Sequence, residues 1–316
     1  MRMLHKLGFI ILAMLAAYEA NAQEYTPLPR LQVVGNQLQT EDGANAKLRG
    51  VSLCEPAWQD FREDIADASN PNGWNANVIR IPVHAKEWRR VGAKNYLASY
   101  LDPAVEMCKK YQVYCIIDWH EISKWQDKDK QFQLERFWSS VARRYAHEPN
   151  ILYEVFNEPT GPGTMSRENW LLWREVAQPW VNQIRAAAPE TVILVGSPHW
   201  SQMPQFAVQD PFAGKNLAYV MHLYPGWSSD TWDRFIGNPS KSVPIFITEW
   251  GWSAREDAKK SPFYGTKEKY GAPLRAYLDA RPNIHWTAWA YHEGCGPAML
   301  GKDTEMGEFV KEWLGS

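Results

Sequence analysis

Two glutamates stand at the ends of apolar runs that lie far apart in the chain. The first closes 151–158, Ile-Leu-Tyr-Glu-Val-Phe-Asn-Glu, and is followed by Pro159; the second closes 244–249, Pro-Ile-Phe-Ile-Thr-Glu, and is followed by Trp250 and Gly251. Pro159 has no N–H to add to a ladder and holds the residue before it extended, so the strand stops and leaves Glu158 at its lip. Two carboxylic acids placed in this way suit cleavage of a glycosidic bond. One protonates the leaving oxygen, and the other attacks the anomeric carbon or activates water. One must keep its proton near neutral pH while the other stays ionised, and their surroundings decide which. Arg80, a permanent cation, suits the ionised member, and Tyr224 is placed to donate its hydroxyl to the same group. Asn157 suits a sugar hydroxyl beside the reacting carbon, a contact that strengthens as charge develops.

Something must carry these side chains to one place. Short apolar runs at 47–53, 77–83, 113–120, 151–158, 191–197, 218–224, 244–250 and 284–291 alternate with helical stretches such as 96–111, 131–146, 167–188 and 266–280; 308–314 closes the chain. Strands that alternate with helices pair in parallel. Eight of them, with no glycine-rich phosphate loop, favour a closed (β/α)8 TIM barrel over a doubly wound sheet. A short N-terminal β-hairpin is expected at 31–40 around Gly35-Asn36, plugging the bottom. In such a barrel the chemistry sits where strands end. Arg80, His120, Glu158, His222 with Tyr224, Glu249 and Trp289 all fall at strand ends. Period-two alternation puts Ile116, Asp118 and His120 on one face, and Ile245, Ile247 and Glu249 on one face. Glu154 is expected inside the barrel, paired with Arg49, because a buried carboxylate needs a partner.

The first 22 residues read as a signal peptide: Arg2 and Lys6, an apolar run at 7–17, and Ala20-Asn21-Ala22 before Gln23. Residues 23–316 then form one catalytic barrel domain, exported to the periplasm or medium. A net charge of −2 argues against nucleic acid and anionic membranes as partners, and a monomer is expected. The chain holds 17 tryptophans, more than a core needs, and indole faces stack on sugar rings. Trp289, Trp200, Trp227, Trp252, Trp125 and Trp88 fall on or just after strand ends and are candidate platforms along a groove. Four cysteines in an exported chain suit two disulfides. Cys54 follows the first strand and Cys295 the last, which are neighbours in a closed sheet, so Cys54–Cys295 is favoured; a local Cys108–Cys115 bridge is conceivable.

Other chemistries fit less well. His120-Glu121 begins a zinc-binding helical motif, but position 124 is Lys, so no metal is expected. Asp127-Lys-Asp129 lacks the glycine and terminal glutamate of a calcium loop. Ser52, Ser123 and Ser197 lack a Gly-x-Ser-x-Gly elbow. His84, Glu121, His199, His292 and Glu293 lie near the mouth and suit either subsites or ordinary loops.

From Leu48-Arg49-Gly50 to Thr287-Ala-Trp289 the chain resembles the retaining β-glycanases of glycoside hydrolase family five. The resemblance rests on Asn157-Glu158-Pro159 together with Arg80, His120, His222-x-Tyr224, Glu249 and Trp289 in that order. It implies Glu158 as acid/base, Glu249 as nucleophile, and Arg80, His120, Asn157, His222, Tyr224 and Trp289 as their support, with no cofactor. The expected substrate is a polysaccharide, foremost cellulose or mixed-linkage β-glucan, with mannan or xyloglucan as the alternative. The rival from another class is a carbohydrate-binding barrel that has lost catalysis.

Overall fold

The structure is a computed structural model that describes residues 26–316 apart from 162, 302 and 303. The expected signal peptide lies outside the described residues. An antiparallel hairpin, β1 (Leu31–Val34) and β2 (Gln37–Thr40), opens the fold. Eight parallel strands follow: β3 (Arg49–Ser52), β4 (Val78–His84), β5 (Tyr114–His120), β7 (Ile151–Glu154), β9 (Val192–Val195), β10 (Leu217–Leu223), β11 (Ile245–Trp250) and β12 (Ile284–Trp289). They close in the order β3-β4-β5-β7-β9-β10-β11-β12, with β12 pairing back onto β3. This is the (β/α)8 barrel expected. Gly50 makes the β3–β4 approach possible, since a Cβ there would lie 1.7 Å from the Val78 carbonyl oxygen.

Burial divides into two layers. Val78, Ile116, Leu152, Leu194, Val220 and Phe246 fill the barrel interior, with Leu31 and Leu38 of the hairpin packed beneath them. The hairpin is therefore the plug that its sequence suggested. Alternate residues of the same strands, such as Ile79, Ile117 and Ile247, face outward against helices including Lys128–Arg144 and Arg167–Ala187. Asp127 and Ser166 cap these two helices through their side chains, which satisfies amide donors that have no intrahelical partner. Among the described residues no helix is long and apolar enough to cross a membrane.

Several expectations need correction. The run 151–158 is not one strand: β7 ends at Glu154, and Glu158-Pro159 forms a separate strand, β8, paired with β6 (Ile122–Ser123). The Val155 N–H still donates to Leu194, but those of Asn157, Glu158 and Thr160 turn to Trp119, Glu121 and Ser123. The chain end that carries Glu158 thus peels away from the barrel ladder and is held by the segment after β5. Glu154 does not pair with Arg49. The Arg49 side chain points outward to Asp279 (2.6 Å), whereas Glu154 and Arg80 both point inward. Ile245 and Ile247 do not share a face with Glu249 either. The β10–β11 register skips Thr248, a bulge that turns both Thr248 and Glu249 toward the interior. Cys54–Cys295 is bridged as favoured, while Cys108 and Cys115 are free and buried. Those two pack one against the other, on the helix Asp102–Lys110 and on β5.

Candidate active site

At the C-terminal ends of the strands, charged side chains converge on one guanidinium. Arg80, wholly buried in β4, donates from Nε to Glu154 Oε2 (2.7 Å) and from Nη1 to Glu249 Oε1 (2.8 Å). Its Nη2 serves Asn157 Oδ1 (2.7 Å), Glu154 Oε1 (3.2 Å) and Asp118 Oδ2 (2.9 Å). Strand register makes this possible, since Arg80 stands beside Ser52 and Asp118 beside Glu154. Glu249 is held on its other oxygen by the Tyr224 hydroxyl (2.8 Å). Donors on both oxygens fix its orientation and suit a carboxylate that must face one way.

His222 links the two glutamates of the sequence pattern. Its Nδ1 lies 2.8 Å from Glu158 Oε1 and 3.4 Å from Glu249 Oε2; its Nε2 lies 3.1 Å from Thr248 Oγ1 and 3.7 Å from Glu154 Oε1. Burial works against a charged imidazole here, but Glu249, Glu154 and Glu158 outweigh it and lift His222 to about 10. Both ring nitrogens then carry protons at neutral pH. Atoms of Glu158, His222 and Glu249 lie within 4.8 Å of one another, close enough for a metal ion by distance alone. An imidazolium has no lone pair to offer one, so the cluster fits proton chemistry better.

Charge balance sorts the remaining groups. Burial pushes Glu158 up, helped by the charge of Glu249 and opposed by His222. Burial also opposes ionised Glu154, but Arg80 and His222 together draw it down. Asp118 is pushed up by burial despite Arg80, and buried His120, 2.7 Å from it at Nδ1, is pushed down. The carboxylates around them thus draw Arg80 and His222 toward their charged forms, and Arg80 and His222 draw Glu154 toward its own, whereas burial favours the proton on Glu158 and on Asp118 and the neutral ring of His120.

The model of the family described as Cellulase (glycosyl hydrolase family 5) matches residues 39–294. The chain belongs to this family. It is 29% identical over 279 residues to an endoglucanase of Clostridium saccharobutylicum, covering 86% of this chain and 59% of that one. It is 30% identical over 251 residues to endoglucanase Z of Dickeya dadantii, covering 75% of this chain and 54% of the relative. The chain thus spans somewhat over half the length of these curated relatives. Among solved structures, a β-glucanase of Saccharophagus degradans superposes with a TM-score of 0.81 at 24% identity, covering 92% of this chain and 94% of that one. The fold is shared with it.

In this family-five chain the structure brings together Arg80, His120, Asn157, Glu158, His222, Tyr224, Glu249 and Trp289, all named from sequence. It separates the tryptophans. Trp289 lies flat against His120, with ring centroids 5.1 Å apart and planes within 3°. Trp200 is 42% exposed at the rim, and half-buried Trp227 packs edge-on against Phe235. Trp88, Trp125 and Trp252 are not platforms, because all three are buried between strands and helices. Trp88 packs on Phe137, Trp125 on Trp173, and Trp252 on Phe309 with its indole N–H given to Glu305. A position just past a strand end does not tell whether a ring turns to the mouth or to the helices.

Three contributors escaped the sequence reading. Thr248 donates to Glu154 Oε1 (2.9 Å) and sits against His222, but only the bulge turns it inward. Asp118 was placed on the correct face without a role. Trp58, 45% exposed beyond β3, extends a line of rings inward through His84 (4.5 Å) and His120 (4.3 Å) to Trp289. It lies in a loop six residues beyond the strand, and nothing in its sequence context marks it out.

A pH test follows from the Glu158–Glu249 pair. Glu249 raises Glu158, so removing that charge should lower it. In Glu249→Gln, Glu158 is expected to titrate at lower pH than in the wild type, read by NMR of carboxyl-labelled glutamate. An unchanged or higher midpoint would mean that the two groups do not sense one another.

Proposed function

We propose that this chain is a retaining endo-β-1,4-glucanase that cuts internal β-1,4 bonds of cellulose or mixed-linkage β-glucan by double displacement. The observation that carries this reading is the placement of Glu158 and Glu249 around His222, with an oxygen of each within 4.8 Å of the other. Retention calls for carboxyls about 5 Å apart, whereas inversion needs roughly 6.5–9.5 Å to seat a water. The endoglucanase relatives support β-glucan as the substrate. We also infer that residues 1–22 are removed on export and that 23–316 act as one catalytic domain, without cofactor and as a monomer.

In the first step a Glu249 oxygen attacks the anomeric carbon while protonated Glu158 gives its proton to the departing glycosidic oxygen. The new bond is an ester between Glu249 and the sugar; the bond broken is carbon to leaving oxygen. In the second step Glu158, now a carboxylate, takes a proton from water as the water oxygen displaces Glu249. His222 holds Glu158 in place for both steps, and Arg80 and Tyr224 take up the charge that returns to Glu249. Asn157 is oriented by Arg80 at Oδ1, while its Nδ2 is buried with no partner. A sugar hydroxyl beside the reacting carbon would satisfy that N–H. Trp289 and His120 offer a flat floor for the reacting ring.

Replacing Glu158 with alanine should slow polysaccharide cleavage by about 10²–10⁴-fold, the usual worth of a general acid. Aryl glycosides whose leaving group needs no proton should suffer far less in their first step. With added azide, the product should be a glycosyl azide of unchanged configuration; the inverted azide would exchange the roles of the two glutamates. The reading as a whole is tested on barley glucan, carboxymethylcellulose, xyloglucan and glucomannan, by reducing ends and product lengths. Cleavage confined to glucomannan would sink the glucanase assignment.

A further inference from the structure

Another buried acid lies beside the site and takes no part in the chemistry just described. Glu55, in the loop that follows β3, is fully buried. Its Oε1 accepts the N–H of Ala57 (3.0 Å) and the hydroxyl of Tyr96; its Oε2 accepts the N–H of His84 (2.8 Å). Burial raises it to about 7, against the pull of Tyr96, His84 and Ala57. Burying an acid here is costly, and what it holds is specific. His84 and Trp58 are the two outer members of the line of rings that ends on Trp289. Trp58 N–H closes a turn onto the Glu55 carbonyl (2.9 Å), so the carboxyl fixes the backbone under both rings. The same loop is tied at Cys54 to Cys295, and through Gln59, which accepts Cys54 N–H (2.7 Å) and donates to the Tyr291 carbonyl (3.1 Å).

The line of rings also has a direction. Trp200 adjoins Ser201, whose hydroxyl donates to the Asn157 carbonyl (2.6 Å), so Trp200 stands on the side of the acid and the leaving sugar. Trp58 follows β3, across the barrel mouth from β9, which places it on the opposite, non-reducing side. We propose that Glu55 is a positioning residue for substrate length: it fixes Trp58 and His84 as a platform for glucosyl units beyond the reacting one on the non-reducing side. This rests on the β-glucan reading above. Glu55 touches neither Glu158 nor Glu249, so its effect runs through binding.

The test compares wild type, Glu55→Ala and Glu55→Gln on aryl β-glycosides carrying one, two or three glucosyl units. For wild type, kcat/KM should climb with each added unit. In Glu55→Ala the climb should shrink by roughly tenfold at the longest substrate, as expected for a misplaced aromatic face. The loss should fall on KM, with kcat within about twofold. Glu55→Gln keeps the acceptor for Ala57 and Tyr96 but sets an amide N–H₂ against the His84 N–H, so it should fall between the two. A loss equal at every length, or none at any length, overturns the proposal; if the alanine variant does not fold, the glutamine variant decides by the same criterion. Calorimetric binding of cellotetraose to Glu249→Ala, with and without Glu55→Gln, keeps the two readings apart. A wild type that cleaves no glucoside sinks the hydrolase reading, while an affinity unchanged by Glu55→Gln sinks this one.

Discussion

Glu249→Ala is expected to lower turnover of soluble β-glucan by roughly 10⁴-fold or more, since removing a covalent nucleophile costs on that order, while the protein stays folded. Glu249 is only 4% exposed, but its neighbours are donors that water can serve once the side chain is shortened at the open face. With Glu249 as the nucleophile proposed above, the space left by the carboxylate would sit at the anomeric carbon. Azide should enter it and attack from the face that Glu249 used, in a single displacement. The product should therefore be a glycosyl azide of inverted configuration, identifiable by its anomeric NMR coupling. Retained configuration in that product, or near-wild-type activity without azide, would refute the assignment of Glu249 as nucleophile.

Arg80→Ala should be the most damaging single change to stability. It strips the countercharge from Glu154 and Glu249 together and a donor from Asp118, and the guanidinium is wholly enclosed. Breaking a buried ion pair by deleting one partner costs about 3–5 kcal/mol, and equilibrium denaturation should show at least that. The contribution of Glu154 to the pH dependence should change sign as well. In the wild type, Glu154 is held below its ordinary range, so it contributes stability above that range and loses it as pH falls. Without Arg80, burial raises the carboxyls instead, and the variant should gain stability as pH falls. Arg80→Lys should recover part of the stability but little turnover, since one ammonium cannot reach Glu154, Asn157 and Glu249 in the planes that a guanidinium serves. A variant that loses less than about 1 kcal/mol, well under the expected cost of an orphaned buried charge, would show that water enters the site and screens these acids.

Much of this site is legible in the chain because each element carries its own signal. Asn157-Glu158-Pro159 ends a strand by the chemistry of proline, and Arg80, His120, His222 and Glu249 break apolar runs where a charge has no packing reason to be. What escaped is set by tertiary geometry. Strict alternation failed at Thr248, because one skipped residue in the β10–β11 register reverses the faces beyond it. Glu154 was correctly judged interior but given the wrong partner, since Arg49 and Arg80 are both strand cations and only their facing separates them. Trp88, Trp125 and Trp252 show that an aromatic near a strand end is as ready to seal helices as to greet a sugar.

The Cys54–Cys295 bridge has a topological consequence. A barrel is a ribbon rolled until its first and last staves meet, and here they meet where β3 lies against β12. Hydrogen bonds alone would make that seam the natural place for the hoop to spring open under heat or load. The bridge joins the two loops just above it, so the chain between them is a covalent circle and a single nick by a protease inside it frees no fragment. Any opening must begin between two other staves, away from the side that carries Trp289 and Trp58.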